Sequence, residues 1–308
     1  MAITAAMVKE LRELTGAGMM DCKKALTETN GNMEEAVEFL RKNGQAKADK
    51  KAGRIAAEGI CRIAVEGGRA AVVEVNSETD FVAKNEMFQN FVEAVAKQAL
   101  HTTAADMDAF LAENWEEDAS KTVKDALVEK VATIGENLNI RRFEVVEAPI
   151  VVDYLHGGGR IGVIVAAEAG TDNDVIREAV KNVAMQVAAL TPKYVSRDEV
   201  GDDYIAHEKE ILLAQIMNDP KESAKPQKVI DGMINGRINK ELKEICLLDQ
   251  IYVKAEDGKQ TVGQYLAQVG KENATDLKIT KFVRYETGEG LEKKNEDFAA
   301  EVAAQMNQ

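Results

Sequence analysis

Apolar residues recur at helical spacing over the first forty positions, and the period then changes. Met7, Val8, Leu11 and Leu14 follow Thr4, a residue suited to cap a helix, and Gly16-Ala17-Gly18 breaks the run. A second helix is predicted from Met20 to Glu28, closing near Asn30-Gly31. A third carries Met33, Ala36, Val37 and Leu40 on one face, with Gly44 as its expected stop. Residues 45–54, charged and poor in apolar positions, read as a linker. After it, Ala-Ala-Val-Val-Glu-Val (70–75) switches to the texture of a strand, preceded by Gly67-Gly68-Arg69 and followed by Asn-Ser-Glu-Thr-Asp-Phe-Val-Ala-Lys-Asn (76–85).

That unit occurs twice. Gly158-Gly159-Arg160 precedes Ile-Gly-Val-Ile-Val, a Thr-Asp pair at 171–172 and a helix through Val183, Val187 and Leu190, as Gly67-Gly68-Arg69 precedes the pair at 79–80 and a helix through Phe91, Val95 and Leu100. The offsets are 160 − 69 = 91 and 171 − 79 = 92. Paired glycines supply the positive φ of a tight hairpin, and the helix that follows covers one sheet face, so the expected fold class is α+β rather than a wound parallel sheet. From 197 to 246 the chain is highly charged and helical. Ile211, Leu212 and Ile216 precede Asn218-Asp219-Pro220, and Ile230, Ile234, Ile238 and Leu242 recur every four residues after Pro226, which predicts an antiparallel arm with a narrow seam. Leu247–Val253 and Ile279–Tyr285 read as strands returning to the second sheet, and Phe298–Met306 as a final short helix.

Composition narrows the function. A chain of 308 residues with a formal charge of −14 repels a nucleic-acid backbone on average, so the basic stretch Lys47, Lys50, Lys51 and Arg54 is weak grounds for a nucleic-acid site. Cys22, Cys61 and Cys246 are too far apart for a Cys-x-x-Cys pair and read as reduced cytosolic thiols. The N-terminus lacks the pattern of a signal peptide and no uncharged run approaches the ~18 residues of a membrane span, so a cytoplasmic protein is expected. His101, His156 and His207 are scattered. His156-Gly157-Gly158-Gly159 resembles an esterase oxyanion loop, but no serine has the flanking glycines of a nucleophile elbow, and no phosphate loop is present. A binding protein is the reading that survives, with no metal and no cofactor.

Four residues carry two readings each. Phe81 directly follows an aspartate at the mouth of a strand. It either caps the core, as large apolar side chains usually do, or faces out toward another molecule. Met19 and Met20 sit in a turn, where they either pack between helices or are displayed. His156, at a hairpin end, is either simply solvent-facing or part of a contact surface.

The glycine-bearing turn of the three-helix segment resembles that of ubiquitin-associated domains. More specifically, Thr-Gly-Ala-Gly-Met-Met-Asp-Cys-Lys-Lys-Ala-Leu (15–26), the 76–85 segment, Ile-Gly-Glu-Asn-Leu-Asn-Ile-Arg-Arg (134–142) and His-Gly-Gly-Gly-Arg-Ile-Gly-Val (156–163) resemble the bacterial elongation factor Ts family, in order. Gly-Arg-Ile-Asn-Lys (236–240), Cys-Leu-Leu-Asp-Gln (246–250) and Gly-Glu-Gly-Leu-Glu-Lys (288–293) continue the likeness over essentially the whole chain. Thr29 and Leu291 are mild departures. The resemblance implies a ubiquitin-associated-like module with its linker (1–54), a core of two related α+β subdomains (55–140, and 141–196 with 236–282), a coiled-coil arm (197–235) and a C-terminal module (283–308). It also implies non-enzymatic guanine-nucleotide exchange on elongation factor Tu, with Asp80 and Phe81 inserted near that partner's Mg²⁺ and phosphate site and further contacts at Met19, Met20, Ile134, Gly135 and His156. An adaptor that only holds a partner through its first 54 residues is the alternative of a different class.

Overall fold

The computed structural model describes residues 2–293, so the helix expected at Phe298–Met306 lies outside the described residues. The N-terminal module forms as its periodicity predicts. Thr4 caps α1 (Ala5–Thr15) by accepting a hydrogen bond from the Met7 amide, and Gly16 ends it. Helices α2 (Met19–Glu28) and α3 (Met33–Lys51) close around Val8, Leu11, Cys22, Ala25, Leu26 and Ala36.

Gly44 does not stop α3, and residues 45–51 are helix rather than linker. The run Gln-Ala-Lys-Ala-Asp-Lys-Lys contains good helix formers, and at Gly44 α3 packs against Val128 and Ala132 of the helix over 123–134. A methyl group built on Gly44 would sit 3.7 Å from each of those side chains, an ordinary contact. Gly44→Ala is therefore expected to stabilise the chain by about 1 kcal/mol through helix propensity. A lowered denaturant midpoint would show that the helix pair cannot accept the methyl.

The core then builds two similar sheets. Strands β1 (Glu58–Glu66) and β2 (Arg69–Ser77) form the first hairpin, followed by the short α4 (Asp80–Ala83) and by α5 (Glu86–His101). After α6 (Met107–Ala112), a two-stranded ribbon of β3 (Asn114–Trp115) and β4 (Asp118–Thr122), and α7 (Val123–Ile134), strand β5 (Asn139–Glu147) pairs with β2. The second hairpin is β6 (Ile150–His156) with β7 (Ile161–Glu168), covered by α8 (Asp174–Leu190) and completed by β8 (Lys278–Glu286). Both sheets are antiparallel, with orders β1-β2-β5 and β6-β7-β8, so the repeat seen in the sequence is a repeat of topology.

The alternation along the central strands places the layers. Ala71, Val73 and Val75 of β2 face α5, and Val163, Val165 and Ala167 of β7 face α8. The opposite faces, Ala70 and Val72 with Ile164 and Ala166, meet each other together with Cys61, Val146, Val151, Val283 and Tyr285. The order is thus helix, sheet, sheet, helix, with β2 and β7 buried on both sides. The hairpin turn after His156 docks on β1: the Cys61 amide donates to the Gly159 carbonyl at 2.7 Å. A side chain at Gly159 is excluded, because its Cβ would stand 2.7 Å from the Cys61 carbonyl at a φ of +104°.

The arm consists of α9 (Asp202–Asn218), α10 (Pro220–Ser223) and α11 (Gln227–Ile245). Ile230, Ile234, Ile238 and Leu242 bury against Ile216 and Leu212, a cluster separate from those of the sheets, while Ile211 is exposed. Helix α11 runs unbroken through the boundary expected at 235 to Ile245. Leu247–Val253, expected as a strand, is instead a 3₁₀ turn (Leu247–Asp249) followed by an irregular segment. The reason lies in α8: the Gln186 side chain donates to the Ile251 carbonyl at 3.0 Å and accepts from the Val253 amide at 2.8 Å. Two of the backbone groups that a strand would have paired are satisfied by one buried amide. Helix α12 (Val262–Glu272), with a Thr261–Gln264 capping box, leads into β8.

No described helix is long and apolar enough to cross a membrane. Among the described residues, no cluster of His, Cys, Asp and Glu is suited to a metal ion.

Candidate functional site

The segment after β2 is built to display one side chain. Thr79 caps α4 by accepting from the Val82 amide at 3.3 Å, and Asn85 caps α5 by accepting from Met87 and Phe88. Between these caps, Ala83 is buried and Val82 packs against the first core, while Phe81 is 81% exposed. The two inward residues anchor the turn, and the aromatic ring projects from it. Asp80 opens the same turn, its carboxylate 2.6 Å from the Lys84 ammonium. The hydrogen bond from Lys84 holds the Asp80 carboxyl below the ordinary aspartate range.

The second copy of the repeat has no such turn. Its connection from β7 to α8 is five residues, 169–173, against eight, 78–85, in the first copy. Asn173 caps α8 as Asn85 caps α5, an offset of 173 − 85 = 88. The Thr171-Asp172 pair therefore does not correspond to Thr79-Asp80, and Asn173 does not stand in the place of Phe81 as the sequence offset of 92 suggested. The longer first connection contains α4, which is additional to the shared plan.

Ile134 is the last residue of α7, half-buried on the first core, and exposed Gly135 ends that helix at a φ of +91°, where glycine is favoured. The next residue ties this corner to the Phe81 turn. Glu136 accepts from the Glu78 and Thr79 amides at 3.0 and 3.1 Å and from the Thr79 hydroxyl at 2.7 Å. Asp80, Phe81, Ile134 and Gly135 are thus brought to one end of the first sheet. His156 is exposed at the end of β6, with the Tyr154 hydroxyl 3.1 Å from its Nδ1, and its hairpin lies along β1 through the Cys61–Gly159 bond.

Met19 and Met20 belong to the separate N-terminal module. They are 59% and 74% exposed in the first turn of α2, which decides between their two readings. Leu14, expected on the core face of α1, is 66% exposed and flanks the same glycine turn. Its spacing from Leu11 matches the apolar stripe, but α1 ends at Gly16 before another helix covers it. The apolar display of this turn is therefore larger than the two methionines.

A family profile described as Elongation factor TS matches residues 78–289. Along the whole chain, proteins named Elongation factor Ts from Clostridioides difficile (strain 630) and Clostridium tetani (strain Massachusetts / E88) are 52% identical over 307 residues and 50% identical over 308, each match covering 99% of both sequences. The chain belongs to the elongation factor Ts family. The part that matches the elongation factor Ts profile contains the Phe81 turn, the Gly135 corner, the His156 hairpin and the arm. Met19 and Met20 precede it, within the length shared with the full elongation factor Ts relatives.

Proposed function

We propose that this translation elongation factor is a guanine-nucleotide exchange factor that binds GDP-bound elongation factor Tu and promotes GDP release. It does so by inserting the Asp80-Phe81 turn near the partner's Mg²⁺ and phosphate site, in the bacterial cytoplasm. The observation that carries the reading is the exposed phenylalanine on a turn capped at both ends, present in one copy of the repeat and absent from the other. Such a turn spends structure on display, which a core residue does not require.

Exchange then follows from linkage without covalent chemistry. A factor that binds the nucleotide-free GTPase more tightly than the GDP-bound form weakens GDP binding by the same ratio. The factor is regenerated when the GTPase takes up nucleotide again, so it needs no cofactor and no catalytic residue. Met19, Met20, Ile134, Gly135 and His156 serve as partner contacts that dock the factor while the turn acts.

The direct test is release of a fluorescent GDP from purified elongation factor Tu. Addition of this chain should accelerate release in proportion to its concentration until saturation. A release rate independent of the chain, with binding still detectable, would leave only an adaptor role.

The docking contribution of the N-terminal module is separately measurable. Replacing Met19 and Met20 together by alanine removes flexible apolar area but none of the buried cluster, so affinity for the GTPase should fall by about 1 to 3 kcal/mol. The melting curve should be unchanged. A melt shifted by many degrees would identify the methionines as part of the module's packing.

A further inference from the structure

Three segments remote in sequence cross at a pair of carboxylates beneath the Phe81 turn. Besides the three hydrogen bonds that Glu136 accepts from 78–79, Glu78 accepts from the Asn137 amide at 2.6 Å and faces the Arg54 guanidinium at 3.3 Å. The Asn137 side chain donates in turn to the Arg54 carbonyl at 2.8 Å. Each carboxylate thus reaches across to the backbone of the other's segment, and Arg54 joins them from within the α3–β1 connection. Glu78, Glu136 and Asn137 are half-buried, whereas Phe81 is exposed.

We infer that Glu136 is the positioning residue of the exchange turn: its carboxylate fixes the first residues of α4 against the Gly135 corner and so aims Phe81. This rests on the function proposed above. The geometry gives the reason. Glu78 and Thr79 are the two residues immediately before α4, Thr79 is its cap, and all three of their available donors there end on the one Glu136 carboxylate. Without that acceptor the cap residue loses its orientation, and a four-residue helix is too short to keep its direction alone. The role demands reach and two polar atoms, one accepting both amides and one meeting the Thr79 hydroxyl, rather than negative charge. A glutamine at 136 can accept both amides through its carbonyl oxygen and donate to the Thr79 hydroxyl, whereas an aspartate keeps the charge but is one methylene shorter.

The experiment measures the maximal rate and half-saturation of GDP release from the GTPase for the full chain and for Glu136→Ala, Glu136→Asp and Glu136→Gln. Docking surfaces elsewhere are untouched, so the alanine variant should lower the maximal rate by about tenfold, the factor corresponding to the net contribution of about one ordinary hydrogen bond. Half-saturation should stay within about twofold of the parent. Glutamine should restore most of the rate and aspartate should not. The opposite order would assign Glu136 an electrostatic action on the partner and overturn the inference.

In a Phe81→Ala background, Glu136→Ala should have almost no further effect, since both act through one ring. A full additional loss there would mean that Glu136 supports the fold generally. Amide hydrogen exchange of the free factor supplies a readout independent of activity. Glu136→Ala should accelerate exchange at Glu78 and Thr79 by about tenfold while leaving the amides of β1 and β2 unchanged. Unaltered exchange at 78–79 would overturn the inference. If those amides are released while Phe81→Ala exchanges GDP like the parent, the proposed wedge fails and the positioning of the turn stands.

Discussion

Phe81→Ala is expected to slow GDP release from the GTPase by about tenfold to a hundredfold, the range that corresponds to losing burial of one phenyl ring worth roughly 1.5 to 3 kcal/mol. The melting temperature should stay within a few degrees of the parent, because the ring contacts solvent and the anchoring residues Val82 and Ala83 are retained. A core phenylalanine would behave in the opposite way and cost about 3 to 5 kcal/mol of stability when truncated. Melting and release should be measured on one preparation. A variant that exchanges normally would refute the wedge, whatever its stability. The short α4 also defines a control: Lys84, which pairs with Asp80 on the exposed side, changes the charge of the turn without touching the ring.

The largest stability effect is expected at Glu74. Its side chain is fully buried on the face of β2 that meets the second sheet, where Arg142 Nε approaches at 2.6 Å and Arg141 Nη1 at 3.1 Å. Asn76 and the Gly288 amide complete the set at 3.0 and 2.8 Å. Those arginines also donate to the Glu286 and Glu289 carbonyls, so this carboxylate joins the first sheet to the segment that follows β8. Glu74→Ala leaves two guanidinium groups and a buried amide without their acceptor and should cost about 3 kcal/mol or more, as for other buried ion pairs broken from one side. A denaturant midpoint equivalent to less than about 1 kcal/mol of loss would show that solvent replaces the carboxylate.

The same residue predicts a pH dependence. Burial pushes the Glu74 carboxyl up, but the hydrogen bonds from Gly288 and Asn76 and the Arg142 charge outweigh it, and the net direction is down from the ordinary value of 4.5. A carboxyl whose pKa is lower in the folded state contributes stability above its unfolded value, and that contribution is lost as pH falls through the folded value. The stability difference between the parent and Glu74→Ala should therefore be full near neutrality and narrow progressively below pH 4.5. A difference that is constant across this range would mean that the ionised form is not the one bound.

Much of the architecture was legible because it is written in local periods and turn chemistry. The stripe of Ile230, Ile234, Ile238 and Leu242 specifies a helix with one narrow buried seam wherever it is placed, and the arm follows. Gly67-Gly68 and Gly157-Gly158-Gly159 dictate hairpins from their own backbone freedom, and two hairpin-then-helix units dictate two similar sheets. Where the reading went astray, a distant partner had changed the outcome. Gly44 is a plausible helix end in isolation but is helical against Val128 and Ala132, and Leu247–Val253 has the apolar content of a strand but finds the Gln186 side chain instead of a neighbouring strand.

The site divides along the same line. By itself the sequence determined which residues recur in the elongation factor Ts pattern, that the chain carries an internal repeat, and that Phe81, Met19 and Met20 were candidates for display. Those properties depend on residue identity and spacing alone. Only the tertiary structure decided that Phe81 faces outward, that Leu14 joins the exposed methionines, that the second copy lacks the short helix, and that Glu136 reaches back to Glu78 and Thr79. Exposure is settled by whether another element covers a position. A hydrogen bond between residues more than fifty positions apart is settled by where the sheets and helices bring the backbone, and no local pattern of polar and apolar residues encodes either.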